Sequence, residues 1–428
     1  MKSAGVMKVR LNDTRMKRMR RLVASIAAVG IVASVILVAQ SASADAVRDR
    51  EYWLTSYGIS QAWRTTKGAG VTVAIIDTGV DGTHPDLTGT VVGGTDVSGV
   101  GAANGQTPVG KESEHATMVA SLLAGHGHDD GAGIMGVAPE AKLLSISVGF
   151  GVGSVSSDDQ IASAVRWAVD HGASVINMSL TRNTLDWPPS WDDAFLYAME
   201  HDVVIVAAAG NRGSGTTEVG APATMPGVLV VGGVDRNGKA SFDASSQGIT
   251  IAVSAPSEDL VGAAPGGGYY TWSGTSGATP LVAGIVALVR ASHPGMDAGN
   301  VIHRLTATAK GVGAVPNATY GYGLVNAAAA VTANVPLVKA NPADQLKEWI
   351  HLYRRAAATP APSDVGGAAP IPQHSQSAAP LNPLGTVLPS IESLRDVGLP
   401  LLIYLLFAAL LVTVVRQVIL NYRRARRE

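Results

Sequence analysis

The chain has 428 residues, 46% of them apolar and 5% aromatic, so any core is built from Ala, Val, Ile and Leu. Its formal net charge of −1 conceals a polarity: eight of the 32 Lys and Arg precede Leu22 and five follow Val415, leaving 19 basic against 31 acidic residues between. An acidic middle argues against nucleic acid as a partner, and the lack of any cysteine excludes disulfides and thiolate catalysis.

In chain order, the basic stretch Lys17-Arg18-Met19-Arg20-Arg21 precedes the apolar run Leu22 to Ala39 and the small residues Ser41-Ala42-Ser43-Ala44-Asp45-Ala46. This is the pattern of a secretory signal over residues 1–44, cleaved after Ala44 or Ala46. An uncleaved N-terminal anchor is the alternative, because the apolar run is long. Residues 47–70 form a polar-aromatic lead-in with Tyr52, Trp53, Tyr57 and Trp63. Val71 to Ile76, short and rich in β-branched residues, predicts a buried parallel strand ending on Asp77. Helices are expected over His115–Ala124, Gln160–His171, Asp192–His201 and Thr279–Ala291. Strands are expected over Leu143–Val148, Ser174–Met178, Val203–Ala208 and Val228–Gly232. Such alternation implies an α/β fold, a doubly wound, mostly parallel sheet with helices on both faces. Sites in such folds lie at the C-terminal strand ends, where Asp77 and Asn211 fall.

The βα pattern stops near Val335, which closes a folded domain over residues 45–335. Residues 336–398 read as a linker. The segment Gln345–Tyr353 within it suits a short amphipathic helix, and the Pro-, Ala- and Ser-rich 359–390 cannot bury a core. Leu399 to Val415 carries no charge, and the apolar pattern continues patchily to Leu420. Residues 399–420 therefore predict one transmembrane helix. The tail 421–428, with Arg423, Arg424, Arg426 and Arg427, is placed in the cytoplasm by the positive-inside rule. The middle of the chain is then extracellular and tethered at the cell membrane.

Four local patterns carry chemistry: Asp77-Thr78-Gly79 within Ile75 to Leu87, Glu114-His115-Ala116-Thr117, Ala207 to Asn211, and Gly274-Thr275-Ser276-Gly277-Ala278-Thr279-Pro280. A serine at a helix start sits among unpaired N–H groups that favour negative charge, which suits an oxygen nucleophile. Alone, that turn reads equally well as a helix cap. Together the four resemble the subtilase family of serine proteases over roughly residues 60–332, in the Asp, His, Ser order of that family.

The resemblance implies a peptide-hydrolysing triad. Ser276 attacks, His115 takes its proton, and Asp77 orients the imidazole. Asn211 and the Ser276 N–H stabilise the oxyanion. It assigns Ser179, Leu180 and Thr181 to one wall of the substrate site and Ala208, Ala209 and Gly210 to the other. It makes His84 structural, and Asp81 and Asp86 suit turn hydrogen bonds. Calcium is common in subtilases, but no clear oxygen-ligand loop is present, so no metal-binding residues are assigned, and no cofactor is expected. Ala116 and Thr181 stand where Gly is usual, Gly277 where Met is common, and Asn326 where Asp is frequent. Thr181 should narrow the pocket toward small or modest apolar residues. Only some twenty-five residues separate Ala44 from the first core strand, too few for a long inhibitory pro-segment.

The order of signal, peptidase domain, linker, span and basic tail further resembles the mycosins, membrane-anchored subtilases associated with type VII secretion. That resemblance implies a protein or peptide substrate and a possible secretion-complex partner. A scaffold of that complex with secondary proteolysis, or a tethered degradative protease, remains the alternative.

Overall fold

Alternate residues of the first strand enter different cores. Val73 and Ile75 pack into one apolar cluster, Ala74 and Ile76 into another, and all four are fully buried. A strand buried on both faces needs apolar side chains throughout, which is why this stretch reads as a continuous run. A computed structural model describes residues 47–358 apart from Asp130 and Thr216, all within the unit Met1–Pro360. The expected signal, most of the linker, the transmembrane helix at 399–420 and the basic tail lie outside the described residues.

Strands β1 (Thr72–Asp77), β2 (Val91–Asp96), β5 (Lys142–Ser147), β6 (Val175–Met178), β7 (Val204–Ala208), β8 (Leu229–Val234) and β9 (Ile251–Pro256) form a seven-stranded sheet. Its order is β2-β5-β1-β6-β7-β8-β9, and every pairing is parallel. Two antiparallel pairs accompany it, β3 (His126–His128) with β4 (Ala132–Met135) and β10 (Leu260–Ala264) with β11 (Gly268–Trp272). Two short helices, α1 (Trp53–Ser56) and α2 (Ile59–Ala62), fold the aromatic lead-in onto the first cluster. Helices α3 (His115–Ala124) and α6 (Thr275–Ser292) pack on that side of the sheet; α4 (Ser157–Asp170) and α5 (Pro189–Glu200) cover the other. The doubly wound expectation is met.

Strands β2 and β9 were not expected from the sequence. In β2, glycine interrupts the apolar signal, yet it is required: a Cβ on Gly94 would fall 2.3 Å from both Asn104 O and Ser145 O. Helix α6 begins at Thr275 rather than Thr279, so it runs through Pro280 and takes Ser276 into its first turn. Among the described residues it is the one helix long and apolar enough to cross a membrane. It packs instead on α3 and strands β6 to β9, inside the core. Helices α7 (Ala298–Ala307) and α8 (Ala327–Thr332) follow, capped by Asp297 and Asn326. Asn326 thus serves as an N-cap, accepting from Ala329 N at 3.0 Å.

Residues 342–358, expected within a linker from residue 336, form a packed helix. Helix α9 (Pro342–Ala358) lies along α5, with Ala343 and Leu346 buried in the second cluster. Trp349 packs on Trp187 with ring centroids 4.2 Å apart, and Arg354 Nε donates to Asp192 Oδ2 at 2.8 Å. Burying Leu346 alone stabilises the packed helix by about 1.5–3 kcal/mol. The apolar stripe of an amphipathic helix needs a partner, and α5 supplies it.

Candidate active site

Asp77 is the last residue of β1 and His115 the first of α3, so a strand end and a helix start bring them together. His115 Nδ1 lies 2.9 Å from both carboxylate oxygens of Asp77. Thr78 N donates to Asp77 Oδ1 at 2.7 Å, which fixes the carboxylate. The Thr78 hydroxyl joins the two elements, donating to Glu112 O and accepting from Ala116 N, each at 3.3 Å. Burial pulls the His115 pKa down, but the Asp77 charge and hydrogen bond, with Glu112 and Glu114 beyond, carry it above the ordinary 6.5. An Nδ1–H donated to Asp77 leaves Nε2 as the acceptor.

Ser276 lies in the first turn of α6, after Gly274 at φ 151°. Its hydroxyl donates to Ser179 O at 3.1 Å. Asn211 follows β7, and its Oδ1 accepts from Thr275 N at 2.8 Å and from the Thr275 hydroxyl at 2.9 Å. Because a backbone N–H can be received only by the amide oxygen, Asn211 Nδ2 is the end left to donate. The Thr275 hydroxyl also accepts from Gly210 N at 3.1 Å.

A cavity of about 570 Å³ gathers Asp77, His115, Asn211 and Ser276 with the wall Ser179, Leu180 and Thr181. The second expected wall differs: Ala208, Ala209 and Gly210 are buried and absent from its lining. The rim instead carries Phe150, Val152, Lys111 and Glu112. Sequence reasoning missed these four, although the glycines around Phe150 and the charged run before His115 marked both stretches as loops. The Thr181 hydroxyl turns to Arg182 O at 2.9 Å.

The unusual residues have local explanations. Ala116 is fully buried in the first cluster. A Cβ on Gly277 would fall 2.3 Å from Leu260 Cδ1 and 3.3 Å from the Trp272 ring. Trp272 in turn stands edge-on to His115, centroids 5.6 Å apart. His84 lies outside the cavity lining. Its Nδ1 accepts from Asp86 N at 3.1 Å, and its Nε2 lies 3.2 Å from Gly268 O. Asp81 accepts from Thr83 N at 3.0 Å, as a turn residue does, and from the distant Gly266 N, also at 3.0 Å. Asp86, expected in a turn, instead ties distant segments together, accepting from Ile134 N and the Tyr269 hydroxyl. No cluster of three or more metal-ligating side chains occurs among the described residues.

Residues 68–323 match the Subtilase family, Peptidase_S8. The chain belongs to the subtilase family. This subtilase is 37% identical to subtilisin E of Bacillus subtilis over 283 residues, which cover 64% of the chain and 70% of the relative. It is 36% identical to fervidolysin of Fervidobacterium pennivorans over 320 residues. Those cover 67% of the chain and 44% of fervidolysin, so the chain spans under half of that relative. Among solved structures it is similar to the mycosin MycP1 from Mycobacterium smegmatis, with a TM-score of 0.58 and 30% identity over 67% of this chain and 85% of that one. It is similar too to the MycP3 protease from the type VII (ESX-3) secretion system, with a TM-score of 0.57 and 34% identity over 66% and 88%. The subtilase is a mycosin-like serine endopeptidase.

Proposed function

We propose that Asp77, His115 and Ser276 are the catalytic triad of an extracellular, membrane-anchored endopeptidase that processes exported proteins or a type VII secretion system. The single observation that carries the site assignment is His115 Nδ1 at 2.9 Å from Asp77, within a cavity that also holds Ser276 and Asn211. The bound peptide presents its scissile carbonyl to Ser276. The Ser276 hydroxyl turns from Ser179 O to His115 Nε2, which takes its proton as Oγ bonds to the carbonyl carbon. Asp77 steadies the imidazolium, and the oxyanion receives hydrogen bonds from Asn211 Nδ2 and Ser276 N–H. The imidazolium then protonates the leaving amine. Water then takes the place of the amine: His115 Nε2 takes its proton as the water oxygen bonds to the acyl carbon, and the imidazolium returns a proton to Ser276 Oγ as the ester bond breaks. Thr181 narrows the pocket for small or modest apolar side chains before the cleaved bond.

The charge-free stretch 399–415 and the arginines after it support the tether. Similarity to MycP3, a protease from the type VII (ESX-3) secretion system, supports the secretion context. Fluorophosphonate labelling of the full chain tests the nucleophile: label is expected on the wild type and none on Ser276→Ala. In the secreting organism, Ser276→Ala should impair processing as deletion of the gene does. Secretion that survives Ser276→Ala but fails on deletion would favour a scaffold role.

A further inference from the structure

In an α-helix the carbonyl of residue 276 accepts the N–H of residue 280. Residue 280 is proline, which has no N–H, so α6 offers Ser276 O no such partner. The bond comes from outside the helix: Ser179 Oγ donates to Ser276 O at 2.8 Å. Ser179 Oγ itself accepts from Asn177 Nδ2 at 3.0 Å, and both side chains are buried at the end of β6. These partners fix the direction of the proton, since an amide N–H can only donate and a carbonyl can only accept. In the opposite sense, the Ser276 hydroxyl donates to Ser179 O at 3.1 Å. Two serines 97 residues apart thus exchange side-chain-to-main-chain hydrogen bonds in both directions.

We propose that Ser179 is a positioning residue for Ser276, whose hydroxyl supplies the bond that Pro280 withholds from the helix. The inference rests on Ser276 being the nucleophile. The bond pins the first turn of α6 to the end of β6, so that Oγ and N–H of Ser276 keep their places relative to His115 and Asn211. The Ser179 carbonyl holds the Ser276 hydroxyl until it turns to His115. Side chain and carbonyl of one residue therefore govern where the nucleophile rests. The Pro280 position explains why a serine 97 residues away is needed: a non-proline residue there would let the helix satisfy its own carbonyl.

The test is a double-mutant cycle on the full chain, read by peptide hydrolysis and by the rate of fluorophosphonate labelling. Ser179→Ala should lower kcat and the labelling rate about tenfold, with KM little changed, as for an interaction that orients the reacting group. Ser179→Thr keeps the hydroxyl and should restore most of the rate. Pro280→Ala supplies an N–H to Ser276 O, so adding Ser179→Ala in that background should cost less than about threefold. If Ser179→Ala or Pro280→Ala fails to fold, Ser179→Cys, a weaker donor of similar size, should give an intermediate rate. Full labelling and turnover in Ser179→Ala or Ser179→Cys, or an undiminished Ser179→Ala effect in the Pro280→Ala background, overturns the role of Ser179 while leaving the nucleophile assignment standing. A wild type that takes no label, or a Ser276→Ala variant that still does, overturns the nucleophile assignment and this inference with it.

Discussion

Thr275 reaches Asn211 Oδ1 twice, through its backbone N–H at 2.8 Å and its hydroxyl at 2.9 Å. The residue before the proposed nucleophile thereby fixes the amide assigned to the oxyanion. Asn211→Ala is expected to lower kcat by about 10²–10³ with little change in KM, a range measured on this amide in another subtilase. Thr275→Val removes one of the two anchors and should cost about tenfold. The double variant should cost little more than Asn211→Ala alone, because both act through one amide. Steady-state kinetics on a peptide amide checks all three.

With His115 as the proposed base, the pH dependence of kcat/KM reports its titration. Its pKa lies above 6.5 for the reasons already given, and the base must be neutral, so activity should fall as pH drops through a value above 6.5. Glu112 is exposed on the rim and adds a negative charge that favours the imidazolium. Glu112→Gln should therefore move the acid limb downward, by about a few tenths of a pH unit given solvent screening. An unmoved or raised limb would contradict this electrostatic account. The raised pKa also means that the Asp77 pairing adds stability in acid, fully present below about 6.5 and lost above the folded-state pKa.

Glu51 makes stability pH-dependent in a second way. It is buried in the lead-in, accepts from Met135 N at 2.8 Å, and burial raises its pKa from 4.5 to about 8. Arg48 and the Met135 N–H oppose that rise, while Asp86 adds to it. Unfolding frees the carboxyl to ionise, so the wild type should lose stability as pH rises from about 4.5 to 8, then level off. Glu51→Gln keeps the Met135 acceptor and carries no charge. Its Tm should gain on the wild type across that window, and thermal unfolding at pH 5, 7 and 9 would measure it.

Trp349 tests where the folded body ends. Its ring packs on Trp187, and Arg354 pairs with Asp192 one turn further on. Trp349→Ala should destabilise the domain by about 2 kcal/mol, from lost apolar burial and ring contact. A Tm unchanged by the substitution would return residues 342–358 to the linker.

Much of the fold is legible in the residues. The apolar run at Val71–Ile76, the small-residue helix after Ser276 and the alternating βα pattern suffice for the doubly wound sheet, because strands buried on both faces must be apolar throughout. The motifs around Asp77, His115, Asn211 and Ser276 are also local, since each needs its own strand end or helix start. What sequence could not supply were features whose cause lies elsewhere in the chain. The glycines of β2 look like a loop until Asn104 and Ser145 close on Gly94. Helix α9 looks like part of a linker until α5 covers its apolar stripe. The start of α6 is expected at Thr279 but lies at Thr275, because proline at 280 withholds a helix bond and the hydroxyl of Ser179 replaces it. The sequence by itself determined which residue types the chemistry would use and which strand ends would carry them. Tertiary structure alone decided the aim of Asn211, the resting bond of Ser276 and the rim of the cavity, because each depends on groups far apart in the chain and close in space.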